Sequence, residues 1–483
     1  MNHNLWRRLL QVHLNRLTCS LPHEQEADYP FGGAMKFLSH SFLAQLQEFG
    51  ETEAVVFNGA SYTYTQLVRD ISEWREFLNE HGVAPGQVVA LEGPSSPNSC
   101  AGLLALVERG AIVIPLTSLP GPKRAEFHEV AQVETVITVD GLERSCVQTG
   151  CVADHELYRR LRAENRPGLV LFSSGTTGRS KATVLDFTKV LARYGEPTRP
   201  RRTLAFLNLD HIGGINTLLH TLSQGGTVVT LPERTPQTVC AAVARHRVQV
   251  LPTTPTFLNM LLISGAYQEH DLSNLQLITY GTEPMPLGTL QRLKAALPAV
   301  RFKQTYGLSE LGILPTKSKT DDTLWVRLGG PGFEYQIRDG ILWIRSEMAM
   351  LGYLNAPAPF DDEGFFNTQD TVEVDGEYVR ILGRKSEIIN VAGEKVYPSE
   401  VENILLEFPT IAEATVSGKP SPVTGMVVKA VVKVTEPTDE RAFRHAVRAH
   451  CRARLEAFKV PAIIEISDAD HHNDRFKKTR ALT

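Results

Sequence analysis

From about residue 50 to residue 345 the chain alternates short apolar runs with helical patterns, and this restricts the possible folds more than any other feature. Val88-Val89-Ala90-Leu91, Ala111-Ile112-Val113-Ile114, Thr135-Val136-Ile137, Leu169-Val170-Leu171-Phe172 and Gly226 to Leu231 read as buried strands. Stretches such as Tyr64 to His81 and Thr238 to Arg247 between them carry helical spacing. Strands that alternate with helices pack as parallel α/β layers, because each crossover helix covers a face of the sheet. At 483 residues the chain is too long for one core and divides into at least two domains.

Later segments depart from this pattern. Asp339-Gly340, between Tyr335-Gln336-Ile337 and Ile341-Leu342-Trp343-Ile344, predicts a hairpin and hence a β-rich subdomain closing the large domain. A second boundary falls near Gly383-Arg384-Lys385-Ser386. Beyond it the patterns predict a helix over Ser399 to Phe408, strands at Ala414-Thr415-Val416 and Met426 to Val434, and a helix over Glu440 to Leu455. Ser399 with Glu402 predicts a capping box at the first of these helices. The expected architecture is α/β. A large N-terminal domain, residues 1–383, has layered α/β subdomains plus the β-rich one; a small α+β domain, residues 384–483, follows.

Composition excludes some roles. Hydrophobic content of 42% and charged content of 22% are ordinary for a soluble globular protein. A net charge of −4 gives no argument for nucleic-acid or anionic-membrane partners. The six cysteines (Cys19, Cys100, Cys146, Cys151, Cys240 and Cys451) have no CxxC spacing, so neither a zinc site nor a disulfide framework is expected. Free thiols in a reducing cytosol, and so a cytoplasmic protein, are the simplest reading. No membrane span is expected either, since the longest apolar candidate, Leu103 to Leu116, is broken by Glu108 and Arg109. Arg7 and Arg8 lack a following apolar signal region. Leu5, Leu9, Leu10 and Leu17 suit one face of an amphipathic helix packing on the body or on a second subunit, which leaves a homodimer open.

The chemistry begins where the apolar run Leu169 to Phe172 ends, in Ser173-Ser174-Gly175-Thr176-Thr177-Gly178-Arg179-Ser180-Lys181. Two glycines let backbone N–H groups turn toward a ligand, the hydroxyls add donors, and Arg179 and Lys181 add charge. Such a loop suits a nucleotide polyphosphate, although a polar surface loop has the same residue types. A Walker A loop is excluded, because Gly175 and Gly178 are separated by two residues and Lys181 is followed by Ala182.

The arrangement resembles the signature loop of the adenylate-forming superfamily: acyl-CoA synthetases, aryl-CoA ligases, peptide-synthetase adenylation domains and firefly-type luciferases. Four further motifs follow in the family's order. Gln304-Thr305-Tyr306-Gly307-Leu308-Ser309-Glu310 is the second. The resemblance implies that Tyr306 packs on adenine, Ser309 bonds the α-phosphate and Glu310 binds Mg²⁺, with Thr305 and Gly307 beside the nucleotide. An aromatic face and a hard oxygen ligand suit those partners. The third, Gly364-Phe365-Phe366-Asn367-Thr368-Gln369-Asp370, implies a ribose contact from Asp370, with Gln369 in place of the usual Gly.

The fourth runs from Gly383 to Glu402. The family assigns Arg384 to ribose, Ser386 to the interdomain hinge and Gly393 to the thiol tunnel; Ser386 stands where Asp or Lys is common. The last is Phe476-Lys477-Lys478-Thr479-Arg480, similar to Gly-Lys-x-x-Arg with Phe476 replacing glycine. Lys477 has the spacing of the catalytic lysine, and Lys478 is the alternative register.

The resemblance spans about residue 50 to the C-terminus and implies an ATP- and Mg²⁺-dependent ligase. A carboxylic acid is adenylated with release of pyrophosphate and then passed to a thiol, with CoA the default acceptor. A carrier protein loaded in trans is the alternative, amide formation is third, and a non-catalytic nucleotide-binding relative is a different class of reading. The acid pocket is expected from His211, Gly213 and Gly214, from Thr253 to Phe257, and from Tyr280, Gly281, Thr282 and Glu283. Asp210 leaves an amino-acid substrate open; apart from Asp210 and Glu283 the lining is neutral, which favours a medium aliphatic or aromatic acid. Arg444 and Arg448 are available for a CoA phosphate.

Overall fold

The alternating runs build two seven-stranded sheets. In the first, Arg202–Leu204, Thr227–Val229, Val250–Thr253, Leu277–Tyr280 and Arg301–Gln304 are parallel, and Glu53–Phe57 joins in the same sense. In the second, Val88–Glu92, Ile112–Leu116, Thr135–Asp140 and Gly168–Ser173 are parallel, with antiparallel strands on both edges. Val88–Glu92 and Ile112–Leu116 are buried along their whole length, as expected where helices cover both faces. The computed structural model describes residues 33–117, 119–173, 180–195, 197, 199–436, 439–473 and 476–478. Ser174, Gly175, Thr176, Thr177, Gly178 and Arg179 lie outside these residues, as do Cys19, Arg480 and the helix expected around Leu5 to Leu17.

The β-rich subdomain is a six-stranded sheet. Phe333–Arg338 and Ile341–Ser346 form the expected hairpin. Asp339 (φ 53°) and Gly340 (φ 73°) both take the left-handed conformation that a tight hairpin turn demands. Next to it, Phe366–Asp375 pairs with Tyr378–Arg384 in a register that sets Asp370 opposite Arg384. Residues from Ile389 to Ile466 then build a five-stranded sheet with its own core, including Val396, Val401, Leu405, Val416, Val432 and Val447.

The predicted capping box is not formed. The helix runs Pro398–Leu406 with Tyr397 as N-cap and no side-chain cap bond. Proline before Ser399 shifts the start by one residue, since proline is preorganised for the first helical position. Ser399 instead donates to Leu382 O (2.6 Å), while buried Glu402 accepts from Val416 N (2.9 Å) and Lys478 Nζ (2.9 Å). Helix Glu440–Arg452 is braced by Arg444 to Ile464 O (3.0 Å) and Arg448 to Ala462 O (2.9 Å), so both arginines already have structural partners.

Among the described residues Cys100, Cys146, Cys151, Cys240 and Cys451 are free thiols, and burial pushes Cys100 up to about 12. Among the same residues, no helix is long and apolar enough to cross a membrane. Glu402 generates a direct prediction. Glu402→Ala strands the buried Val416 N–H and leaves Lys478 without its partner, which should cost about 2–3 kcal/mol in urea unfolding. Glu402→Gln should recover part of the loss.

Candidate active site

In open α/β sheets the carboxyl ends of parallel strands face the ligand crevice. Four of the residues singled out in the sequence fall there. Ser173 ends Gly168–Ser173, Thr253 ends Val250–Thr253, Tyr280 ends Leu277–Tyr280, and Thr305 follows Arg301–Gln304. The Thr253 hydroxyl and Gln304 Oε1 are buried here without a hydrogen-bond partner among the described residues. Buried polar atoms of this kind call for an explanation, and a ligand is one.

The centre of the constellation is Asp370. Tyr306 OH donates to Asp370 Oδ2 (2.5 Å), and Arg384 Nε lies 2.8 Å from Oδ1. The Asp370 N–H donates to Thr368 Oγ1 (3.0 Å), while Arg384 Nη1 donates to Thr368 O (3.3 Å). Burial raises the Asp370 carboxyl above its ordinary value, an effect opposed by Arg384 and by the Tyr306 bond. Burial and the nearby carboxylate together raise Tyr306 well above a free phenol. Asp370 in turn raises Arg384, whose side chain remains partly open to solvent.

A second chain of contacts reaches Glu310. Tyr306–Leu308 and Gly312–Leu314 form a hairpin with Ser309 and Glu310 in its turn. Buried Glu310 accepts from Tyr353 OH (2.6 Å). The Tyr353 strand pairs with Lys181–Asp186, and Lys181 Nζ sits 5.1 Å from the centre of the Tyr353 ring. Ser173 and Lys181, at the two ends of the hydroxyl-rich loop, face each other across an antiparallel pair. Tyr353 is the residue that sequence reasoning missed. It stands in no motif, and only its pairing opposite Thr183 brings it between loop and carboxylate.

Two of the three expected acid-pocket segments meet, Thr253 to Phe257 and Tyr280 to Glu283. Thr305 N donates to Tyr280 O (2.7 Å), and a Cβ on Gly281 would lie 2.6 Å from Thr305 O. Thr282 adopts a left-handed φ of 74°. Glu283 then reaches Thr256 N (2.7 Å) and Lys478 N (3.0 Å). His211 caps helix Ile212–Ser223, its Nδ1 accepting from Gly213 N (3.0 Å), so the neutral ring carries its proton on Nε2.

Two positions with residues other than the motif's glycine keep a left-handed backbone: Gln369 (φ 61°) and Phe476 (φ 53°). Ser386 lies in a short 3₁₀ turn, Lys385–Glu387, between the β-rich sheet and the small domain. Gly393 (φ 94°) forms the exposed turn after Ile389–Val391, where a Cβ would meet nothing within 4 Å beyond its chain neighbours. Gly393 N donates to Asn390 Oδ1 (2.9 Å) within the same turn.

Residues 42–354 match the family of AMP-binding enzymes, and residues 400–480 match the AMP-binding enzyme C-terminal domain. The chain belongs to the AMP-binding enzyme family. A feruloyl-CoA synthase from Amycolatopsis is 28% identical over 459 residues, covering 86% of this chain and 92% of its own. An indoleacetate–CoA ligase from Aromatoleum aromaticum is 29% identical over 469 residues, covering 86% and 91%. The fold is similar to that of the anthranilate CoA ligase AuaEII in complex with anthranoyl-AMP: TM-score 0.77 at 20% identity, over 90% of this chain and 95% of that one.

Gly214 offers a test of the loop that carries His211. A Cβ there would lie 1.9 Å from Asn208 O, a backbone atom that cannot swing away. Gly214→Ala should therefore destabilise by about 2–3 kcal/mol in thermal unfolding, outweighing the ~1 kcal/mol of helix propensity gained.

Proposed function

We propose that this protein is an AMP-forming acid–thiol ligase that adenylates a carboxylic acid with ATP and passes the acyl group to a thiol, with CoA as acceptor. The observation carrying this reading is the convergence of Tyr306, Glu310, Asp370 and Arg384 from three separate motifs, with Lys181 beside them. CoA is favoured because sequence relatives along most of the chain carry CoA-ligase names.

In this reading Asp370 accepts both ribose hydroxyls, held in place by Arg384 and Tyr306, whose ring flanks the adenine. Ser173 and Lys181 approach the phosphates, with Ser309 at the α-phosphate. Glu310 is a hard oxygen donor held by Tyr353, which fits Mg²⁺; such an ion takes one or two carboxylates plus phosphate oxygens. Among the described residues no three His, Cys, Asp or Glu side chains form a metal cage, so the nucleotide would complete the coordination. Bound there, Mg²⁺ would supply charge neutralisation for the phosphates.

Lys477 would bring the acid's carboxylate and the α-phosphate together, offsetting the repulsion between two anions. Lys478 is otherwise committed, since its Nζ pairs with buried Glu402 in the small domain. The large and small domains would divide at residues 383 and 384 and turn about Ser386, bringing the Gly393 turn to the thiol route for the second step. The acid would sit among His211, Gly213, Thr253, Tyr280, Gly281, Thr282 and Glu283.

The primary test is pyrophosphate release across a panel of aliphatic and aromatic acids, followed by product mass with CoA or a carrier protein. No acid-dependent release from any acid would sink the reading. Lys477→Ala should lower adenylation at least about 100-fold, whereas Lys478→Ala should retain most of it with a lower unfolding midpoint. The raised Asp370 carboxyl sets a pH limit. Protonation removes an acceptor, so nucleotide affinity should fall as pH drops through a midpoint above the ordinary 3.8. Titrating AMP affinity against pH checks this, and Asp370→Asn should bind weakly with no such midpoint.

A further inference from the structure

The C-terminal tail closes on itself before it meets the large domain. Phe476 N donates to Asn473 O (2.8 Å), Asn473 N to Lys477 O (3.0 Å), and Lys477 N to Asn473 Oδ1 (3.1 Å). Within this loop Phe476 holds φ at 53°, a region that a bulky side chain rarely occupies. Such a conformation persists only where its surroundings hold it.

Those surroundings belong to the large domain. The Phe476 ring lies 5.2 Å from Phe206 and 5.7 Å, edge-on, from Phe257, with the Arg234 guanidinium 5.2 Å from its centre. His472 stacks on it from within the tail, at 5.5 Å. The Phe476 carbonyl accepts from Thr254 Oγ1 (2.8 Å), and two residues on Lys478 N donates to Glu283 Oε2 (3.0 Å). The glycine of the resembled motif would keep the two backbone contacts and lose every ring contact.

Resting on the ligase reading above, we propose that Phe476 is a positioning residue. Its ring latches the Lys477 loop onto the Phe206–Phe257 seat for the adenylation step, and it must leave that seat before the small domain turns to the thiol step. The latch therefore favours the first half-reaction at the expense of the second.

Hydrogen exchange and separated half-reactions test this on the full chain, comparing wild type, Phe476→Ala and Phe476→Tyr. In Phe476→Ala the tail amides, Lys478 included, should exchange several-fold faster. Acid-dependent pyrophosphate release should slow about tenfold in kcat with KM for ATP unchanged, the scale of lost aromatic pairing. Thiolysis of the supplied adenylate of an acid that the wild type activates should be equal or faster, which also reports that the variant is folded. Phe476→Tyr should restore slow exchange and fast adenylation. Unchanged tail exchange overturns the latch, and equal slowing of both half-reactions overturns the positioning role. A wild type with a protected tail but no acid-dependent pyrophosphate release overturns the ligase reading instead, because exchange judges the latch by itself.

Discussion

The candidate site depends on one buried carboxylate. Asp370 is held from two sides, by the Tyr306 phenol and the Arg384 guanidinium, and each belongs to a different segment of the chain. Burying a carboxylate is costly unless it is hydrogen-bonded and paired, so these partners are a condition of its presence there. The pair draws the Tyr306–Leu308 hairpin, the Phe366–Asp375 strand and the end of Tyr378–Arg384 to one point. Glu310 contributes to the same field, pushing Asp370 further toward its neutral form.

Direct contacts also join the large domain to the C-terminal tail. Strand ends and the hairpin turn present Thr253, Tyr280, Thr305 and Glu310 from the large domain. The tail touches the same domain through Phe476 and Lys478, while Lys478 Nζ remains bound to Glu402 of the small domain. Consecutive residues thus serve different attachments: a ring to the large domain, a side-chain amine to the small one, and Lys477 between them. Glu402 and Lys478 lie 76 positions apart and form no recognisable pattern along the chain.

Much of the candidate site was legible because its motifs are local. The turn at Asp339-Gly340 and the strand before Ser173 follow from residue type and period alone. The expected capping box failed because Pro398 begins the helix one residue early, and Glu402 then met a stronger claim from Val416 and Lys478. Tyr353 was not legible, since a lone tyrosine after a glycine says nothing until its strand is paired. Arg444 and Arg448 were read as available cations, yet their carbonyl partners, Ile464 in the strand Ile463–Ile466 and Ala462 just before it, are brought alongside only by folding.

By itself the sequence determined the α/β layering, the order of the motifs and the identity of the candidate site residues, because strand period, turn chemistry and motif spacing are all short-range. Tertiary structure decided which of these residues share a field. Asp370 faces Arg384 through strand register, Lys181 reaches Tyr353 through a two-residue pairing, and Phe476 takes a left-handed backbone in an aromatic seat. Each of these contacts joins segments far apart in the chain. Their geometry follows from how sheets and domains pack, which no local pattern encodes.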